Sequence, residues 1–330
     1  MSNNLTVFNC GPVEITVTPD EATMGRLTAE YIIDKIIEKN NAGTPVALWL
    51  MAAPSAFGFY NELIATAEKD ENLRNILRDT HFFQFDDYPI SRQSPKFEAT
   101  FRRLLEKHLF EPLAKVCGTL NNVHPLDLTG EESDAKVCED YRDTILNLKK
   151  EGVYFLQLKG IGMDGHWGFH GAETPLDIEP GIITVPMNSQ NIRQQMIDWP
   201  EFFPTVEDVP AHACTFNVPM FLLADEVIDN VPQSSKEYSV LAVYGTDDVF
   251  NAAPSSAIKQ HKKARAYLTE AASVTLLDFL ATRKEDPKAF LKPETHERLR
   301  ALWNDPTDPE TTARNIELMD EVLRDLGMIA

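Results

Sequence analysis

The chain has 330 residues, 43% hydrophobic and 25% charged, a balance that fits a folded globular protein and excludes wholesale disorder. Its 31 Lys and Arg face 51 Asp and Glu, a formal charge of −20 at pH 7. That balance speaks against nucleic acid and against anionic membrane surfaces, both of which are bound by neutralising phosphates. The longest apolar run, 46–53, falls far short of the ~20 residues that span a bilayer. The opening Met-Ser-Asn-Asn-Leu has neither the basic start nor the apolar core of an export signal. Cys10, Cys117, Cys138 and Cys214 are scattered, with no C-x-x-C among them, so they read as free buried thiols. The expectation is a cytoplasmic protein with no membrane segment.

In chain order, the first helix opens at Thr18-Pro19-Asp20-Glu21. Thr18 reads as the cap, Pro19 as the first helical residue and Glu21 as the partner in a capping box. Met24, Leu27, Tyr31, Ile32, Ile36 and Ile37 form its apolar stripe, and Asn40, Asn41 and Gly43 end it. A buried strand is predicted over 46–50, a helix over 57–68 and a strand over 82–85. Helices follow over 96–109 and 134–150, and a strand over 153–158. Further strands are predicted over 182–185, 214–218, 238–244 and 264–268. Strands apolar on both faces and separated by helices predict a doubly wound, mostly parallel sheet in a Rossmann-like three-layer α/β/α fold. Residues 276–330 contain no strand pattern. They are broken at Lys-Glu-Asp-Pro, Lys-Pro-Glu and Asp-Pro-Thr-Asp-Pro-Glu, and read as a helical C-terminal extension packed on a main domain of residues 1–275.

In such a sheet ligands bind beyond the carboxyl ends of the strands, and three loops after strands carry the chemistry. Met51-Ala52-Ala53-Pro54-Ser55 joins a strand to a helix amino end, which attracts anions; the alternative is a plain turn. Asp86-Asp87 follows the strand at 82–85, and repulsion between adjacent carboxylates raises one of them towards the range of a general base; the alternative is a solvated turn. The third loop runs from Gly160 to Gly171. It contains a literal G-x-G-x-x-G, rejected as a dinucleotide fingerprint because no helix follows and no acidic residue ends the next strand. Its glycines instead present Asp164 and His166, a carboxylate that orients an imidazole. A core histidine is the bland reading. A metal site built from Asp164, His166 and His170 is disfavoured, because the glycines break helical i,i+4 spacing.

These loops resemble the glucosamine-6-phosphate deaminase/isomerase and 6-phosphogluconolactonase superfamily over about residues 18–275. The family's strand-end Asp-Glu-Tyr looks like Asp86-Asp87-Tyr88. Its Gly-x-Asp-Gly-His-x-x-Phe matches Gly162 to Phe169, and its phosphate loop aligns with Met51 to Ser55. A later Ser-x-Leu-Gln-x-His-x-x-Ala resembles Ser256 to Ala264. Tyr88 and Phe169 follow the deaminase branch more closely than the lactonase branch.

The resemblance implies three catalytic residues. Asp86 would move a proton between C1 and C2 of an open-chain amino sugar or sugar phosphate, His166 would pass the proton that opens the ring, and Asp164 would orient His166. It also implies substrate contacts from Ala52, Ala53 and Ser55, from Asp87 and Tyr88, and from Gly165, His170 and Glu173. No metal or organic cofactor is required, and the partner is a small sugar or sugar phosphate. Homo-oligomers are common in the family, and the subunit count stays open. Two other activities are compatible: sugar lactone hydrolysis, with His166 activating water, and sugar binding without catalysis.

The sequence also departs from the family pattern. Gly171 stands where the deaminases have a glutamate, with Glu173 two residues on. Ala52-Ala53-Pro54-Ser55 keeps one hydroxyl of the phosphate loop. Glu201 replaces an arginine before Phe202-Phe203, and Asp248 after Gly245 stands for a lysine. Arg102, Arg193, Lys262 and Arg265 are the candidates for a replacement cation.

Overall fold

The computed structural model describes residues 5–305 and 308–330. Its strands are β1 (Thr6–Cys10), β2 (Val13–Thr18), β3 (Val46–Leu50), β4 (His81–Gln84), β5 (Asp86–Asp87), β6 (Asn122–His124), β7 (Tyr154–Lys159), β8 (Ile182–Pro186), β9 (His212–Phe216), β10 (Glu226–Val231) and β11 (Ala264–Thr269). Its helices are α1 (Glu21–Asn41), α2 (Phe57–Lys69), α3 (Glu71–Asp79), α4 (Phe101–Leu105), α5 (Glu111–Cys117), α6 (Asp134–Lys150), α7 (Ser189–Asp198), α8 (Val218–Phe221), α9 (Glu237–Tyr244), α10 (Glu270–Glu285), α11 (Pro293–Ala301) and α12 (Pro309–Asp325).

An eight-stranded sheet runs in the order β1-β2-β11-β10-β7-β3-β4-β6. Every neighbouring pair from β2 to β6 is parallel, and the edge strand β1 pairs antiparallel with β2. Helices cover both faces. Asn230 accepts a hydrogen bond from Thr28 of α1, while its neighbour Asp229 accepts one from Tyr244 of α9. Consecutive strand residues point to opposite faces, so α1 and α9 lie on opposite sides of β10. The α/β class and the mostly parallel sheet are therefore as the sequence predicts. α1 and α2 cross so closely that a Cβ on Gly25 would sit 2.6 Å from the backbone of Gly58. Among the described residues no helix is long and apolar enough to cross a membrane, and the four cysteines are buried and free.

Several predicted elements are corrected. Residues 238–244 are not a strand. They are α9, buried at every position, and a helix hidden on all sides gives the same unbroken apolar run as a core strand. The strand in that region is β10, which lies at the centre of the sheet and which Glu226, Asp229 and Asn230 disguise as polar. The strands near 182–185 and 214–218 exist as β8 and β9, but they form a separate antiparallel sheet ordered β5-β9-β8. The helix over 96–109 is a 3-10 turn, Pro95–Ala99, then α4, a π-helical turn over Glu106–Phe110, and α5. The first helix is capped by Asp20, whose side chain accepts from Thr23 N at 2.7 Å, whereas Thr18 ends β2. β1, β2 and β6 were not anticipated. α10 begins at Glu270 and runs through position 276; α11 and α12 follow it. The predicted break between Asp305 and Glu310 includes residues 306 and 307, which lie outside the described residues.

Candidate active site

A cleft opens at the carboxyl ends of β3, β4, β7 and β10, where the parallel topology leaves loops free of sheet pairing. The first loop leaves β3 at Met51 and turns through Pro54–Ala56 into α2. Ala52, Ala53 and Ser55 line the cleft. Pro54 has no amide hydrogen, and the amides of Ala56 and Phe57 are bonded back to Ala53 O and Pro54 O. Ser55 supplies the one side-chain hydroxyl of this turn, 3.6 Å from Met51 Sδ.

Asp86 and Asp87 form the short strand β5, paired with Thr215 and Cys214 of β9. The pleat sends their side chains apart. Asp87 accepts hydrogen bonds from the amides of Tyr88 (2.8 Å), Phe101 (2.9 Å) and Arg102 (2.9 Å) and from Gln84 Nε2 (2.9 Å). It thus holds the start of α4. Burial pushes its carboxyl up to about 7, even though these donors pull it down. Asp86 faces the cleft, and among the described residues no donor is bonded to its carboxylate. Burial, and then the charge of Asp87, raise it well above the ordinary carboxylate range.

The loop after β7 curls back so that Gly162 N donates to His166 O at 3.1 Å and Gly165 N to Gly162 O at 3.0 Å. Gly165 adopts φ +90°, a conformation that side chains disfavour. A Cβ on Gly162 would fall 2.1 Å from the His166 ring, so only glycine lets the imidazole lie across the loop. Asp164 Oδ1 sits 2.6 Å from His166 Nδ1 and also accepts from His166 N at 3.1 Å. Burial would raise Asp164, but the charge and hydrogen bonds of His166 bring it down to about 2. With Nδ1 engaged, His166 lines the cleft and has Nε2 left for a ligand. Asn188 Nδ2 reaches Asp164 Oδ2 at 3.5 Å and Glu173 Oε1 at 3.2 Å. The Glu173 carboxylate fills the space beside Gly171: a Cβ there would meet Glu173 Oε2 at 2.7 Å.

Asp87, Tyr88, Gly165 and His170 are buried behind the cleft wall, and Glu173 is exposed outside the cleft. Tyr88 packs among Phe101, Phe169 and Phe203. His170 accepts from Val218 N at Nδ1 and donates from Nε2 to Thr174 O, both at 3.0 Å. Burial lowers it to about 4, so it is a neutral stitch between loops with no nitrogen left for a metal. His261 likewise spends both ring nitrogens, on Lys263 O and Ala224 O at 2.8 Å.

None of the four candidate cations lines the cleft. Arg102 pairs with Glu106 and Asp127, Arg193 donates to Trp303 O and Asn304 O, and Arg265 lies over Tyr31. Lys262 is exposed in the turn before β11. The cation in the cleft wall is instead Lys236, in the turn between β10 and α9. Lys236 follows β10, the strand that polar residues disguise, whereas Asp248 does not line the cleft. Sequence reasoning also missed Gln194, Gln195 and Asp198 of α7, and Gln233. Their only signal was a polar helix after a Pro-Met-Asn turn. Lys236 Nζ donates to Gln194 Oε1 at 2.9 Å, and Gln194 Nε2 reaches Asp198 Oδ2 at 3.4 Å. Burial lowers the Lys236 ammonium, partly offset by Asp198. Burial raises the Asp198 carboxyl against the pull of Lys236.

The fold and site thus define an α/β protein with a buried acid and an aspartate-held histidine in one sheet-end cleft. No protein-family model matches the chain. It is 28% identical over 207 residues to the glucosamine-6-phosphate deaminase of Lysinibacillus sphaericus, covering 62% of this chain and 77% of the relative. It is 24% identical over 262 residues to that of Oceanobacillus iheyensis, covering 79% and 95%. A monomeric glucosamine-6-phosphate deaminase superposes with a TM-score of 0.64 at 19% identity, covering 79% of this chain and 98% of that structure. The 6-phosphogluconolactonase of Trypanosoma brucei superposes with 0.58 at 15%, covering 79% and 97%. The chain belongs to the superfamily of glucosamine-6-phosphate deaminases and 6-phosphogluconolactonases.

Proposed function

We propose that the chain is a sugar isomerase or deaminase that transfers a proton between C1 and C2 of an open-chain amino sugar. One observation carries this reading: Asp86 has no hydrogen-bond donor among the described residues and faces the same cleft as the Asp164-held His166. Removing a proton from carbon needs a base stronger than a solvated carboxylate, and burial beside Asp87 supplies one. One carboxylate can reach both adjacent carbons. It takes the C2 proton, leaving an enediol-type species, and returns it to C1. His166, acting through Nε2, exchanges the ring-oxygen proton that opens the sugar, with Asp164 stabilising the imidazolium. In the deaminase direction the C2 amino group leaves as ammonia, and water supplies the ketone oxygen.

The test incubates pure protein with free hexosamines and their 6-phosphates and measures ammonia and ketose. Turnover is expected, with a loss of about 10³-fold in Asp86→Asn. Turnover no greater than that of Asp86→Asn would overturn the reading. Lactone hydrolysis is the second reading, favoured by Gly171 in place of the deaminase glutamate. Lactone opening that survives Asp86→Asn and dies in His166→Ala would establish it.

A further inference from the structure

We infer that Cys138 of α6 and Cys214 of β9 form a peroxide-reactive dithiol, a modification site behind the cleft that closes into a disulfide. The two thiols are hydrogen-bonded to each other, with the Cys138 S–H as donor. Thr184 of β8 lies opposite Cys214 in register and places its hydroxyl oxygen 3.4 Å from Cys214 Sγ. A disulfide needs sulfurs that can close to about 2.05 Å with little backbone movement, and thiols already bonded to each other start near that geometry.

Both residues sit on fixed supports. Tyr141, one turn beyond Cys138, sets its hydroxyl 2.8 Å from Gln84 O and 2.9 Å from His124 O, which docks α6 on β4 and β6. Asp134, one turn before it, accepts from the amides of Thr129 at 2.9 Å and Gly130 at 2.8 Å. Cys214 is the middle residue of β9, paired with β5 on one side and β8 on the other. A surface pocket lined by Cys138, Arg142 and Thr184 opens between α6 and β8. Cys138 is 8% exposed and Cys214 2%, so a small oxidant meets the Cys138 sulfur first.

The hydrogen bond from Cys138 lowers the Cys214 thiol, against burial and against the charges of Asp134 and Asp87. The first proton is lost from the pair, and the one that remains is shared between the two sulfurs. A thiolate is the form that attacks peroxide. The Cys138 sulfur takes one peroxide oxygen, the O–O bond breaks, and hydroxide leaves to become water. Cys138 is then a sulfenic acid. The Cys214 sulfur attacks it, the S–O bond breaks, and a second water leaves. Two thiols are oxidised to one disulfide, and one hydrogen peroxide is reduced to two waters.

The bond would act on the strand that supports the site. Directly paired residues share a sheet face, so Cys214 lies with Asp87 behind the cleft and Thr215 lies with Asp86. Thr215 Oγ1 accepts from Phe169 N at 3.0 Å, on the loop that carries His166.

The experiment treats the folded, reduced chain with hydrogen peroxide, blocks remaining thiols by alkylation and maps the cysteines by mass spectrometry. A peptide linked through Cys138 and Cys214, and cleaved by dithiothreitol, is expected to form at least about tenfold faster than Cys10 or Cys117 is oxidised. Those two are internal controls, since burial pushes the Cys10 thiol up to about 11 and raises that of Cys117. Cys214→Ser should leave Cys138 as a sulfenic acid that dimedone captures, and Cys138→Ser should leave Cys214 no more reactive than Cys117. An unreacted pair, equal rates at all four cysteines, oxidation of Cys138 to sulfinic acid without a linked peptide, or linkage only after unfolding in urea would each overturn the inference. The wild-type map stands without the variants, so one that fails to fold leaves the test intact. No readout depends on turnover, so a negative map leaves the proposed reaction untouched, and a failed sugar assay leaves the dithiol untouched.

Discussion

Asp86 and Asp87 are identical side chains one peptide apart, and the pleat of β5 gives one of them four donors and the other an open cleft. Asp164 is the third buried acid of the site, and its titration runs the opposite way. Its carboxyl titrates near 2 in the folded protein against 3.8 in the unfolded chain. Between those values the unfolded state binds more protons, so the stability contributed by Asp164 is present above about pH 4 and is lost as pH falls towards 2. A shift of this size corresponds to about 2 kcal/mol. Asp164→Asn is expected to lower unfolding free energy by about that amount at pH 7, with the gap to wild type narrowing below pH 4. Urea titrations of both proteins at pH 7, 5 and 3.5 check it, and a gap that does not depend on pH would contradict it.

At the scale of elements, the site depends on where helices begin. α4 opens at Phe101 after Thr100, whose hydroxyl accepts from Arg103 N at 3.2 Å, while Asp87 satisfies the amides of Phe101 and Arg102. A helix start needs such partners because its first amides have none within the helix. Asp87→Ala removes the acceptor for three buried amides at once, at a cost of about 3 kcal/mol. Chemical denaturation is expected to show that loss, together with faster hydrogen exchange at Phe101 and Arg102. Unchanged exchange at those two amides would show that α4 is held by other means. The same logic explains β10. Its polar residues are tolerable at the centre of a sheet because Lys159 lies 3.0 Å from Asp229 and Thr28 bonds Asn230 at 2.9 Å. Lys159 in turn lies 4.7 Å from the Trp167 ring, beneath the loop that carries His166.

For the whole molecule, α7 transmits the C-terminal helices to the cleft. One side carries Gln194, Gln195 and Asp198. The other is tied down by Arg193, which donates to Trp303 O at 2.6 Å and Asn304 O at 3.0 Å, and by Ser189, which donates to Asn315 Oδ1 at 3.0 Å. Arg193→Ala breaks both guanidinium bonds and is expected to cost about 2 kcal/mol. It should weaken sugar affinity several-fold although Arg193 does not line the cleft. Denaturation together with ligand calorimetry on this variant checks both effects. Unaltered affinity alongside lost stability would show that α11 and α12 are coupled to the fold alone.

Asp86, Asp164, His166 and the loop at Ala52 were legible in the sequence because each lies within a few residues of an apolar strand. Short-range spacing carries that information: a strand end, a tight glycine loop, a carboxylate two residues from an imidazole. The α/β class was legible for the same reason, since buried parallel strands are apolar on both faces. Lys236 and Asp198 were not legible, because their meaning depends on β10, whose carboxylate and amide look like a loop until Lys159, Thr28 and Tyr244 arrive from elsewhere in the chain to satisfy them. Burial of polar groups is decided by distant partners, and so was this wall of the cleft. Only the tertiary structure could tell the buried helix α9 from a strand, because an apolar run records burial on all sides without recording the backbone that is buried.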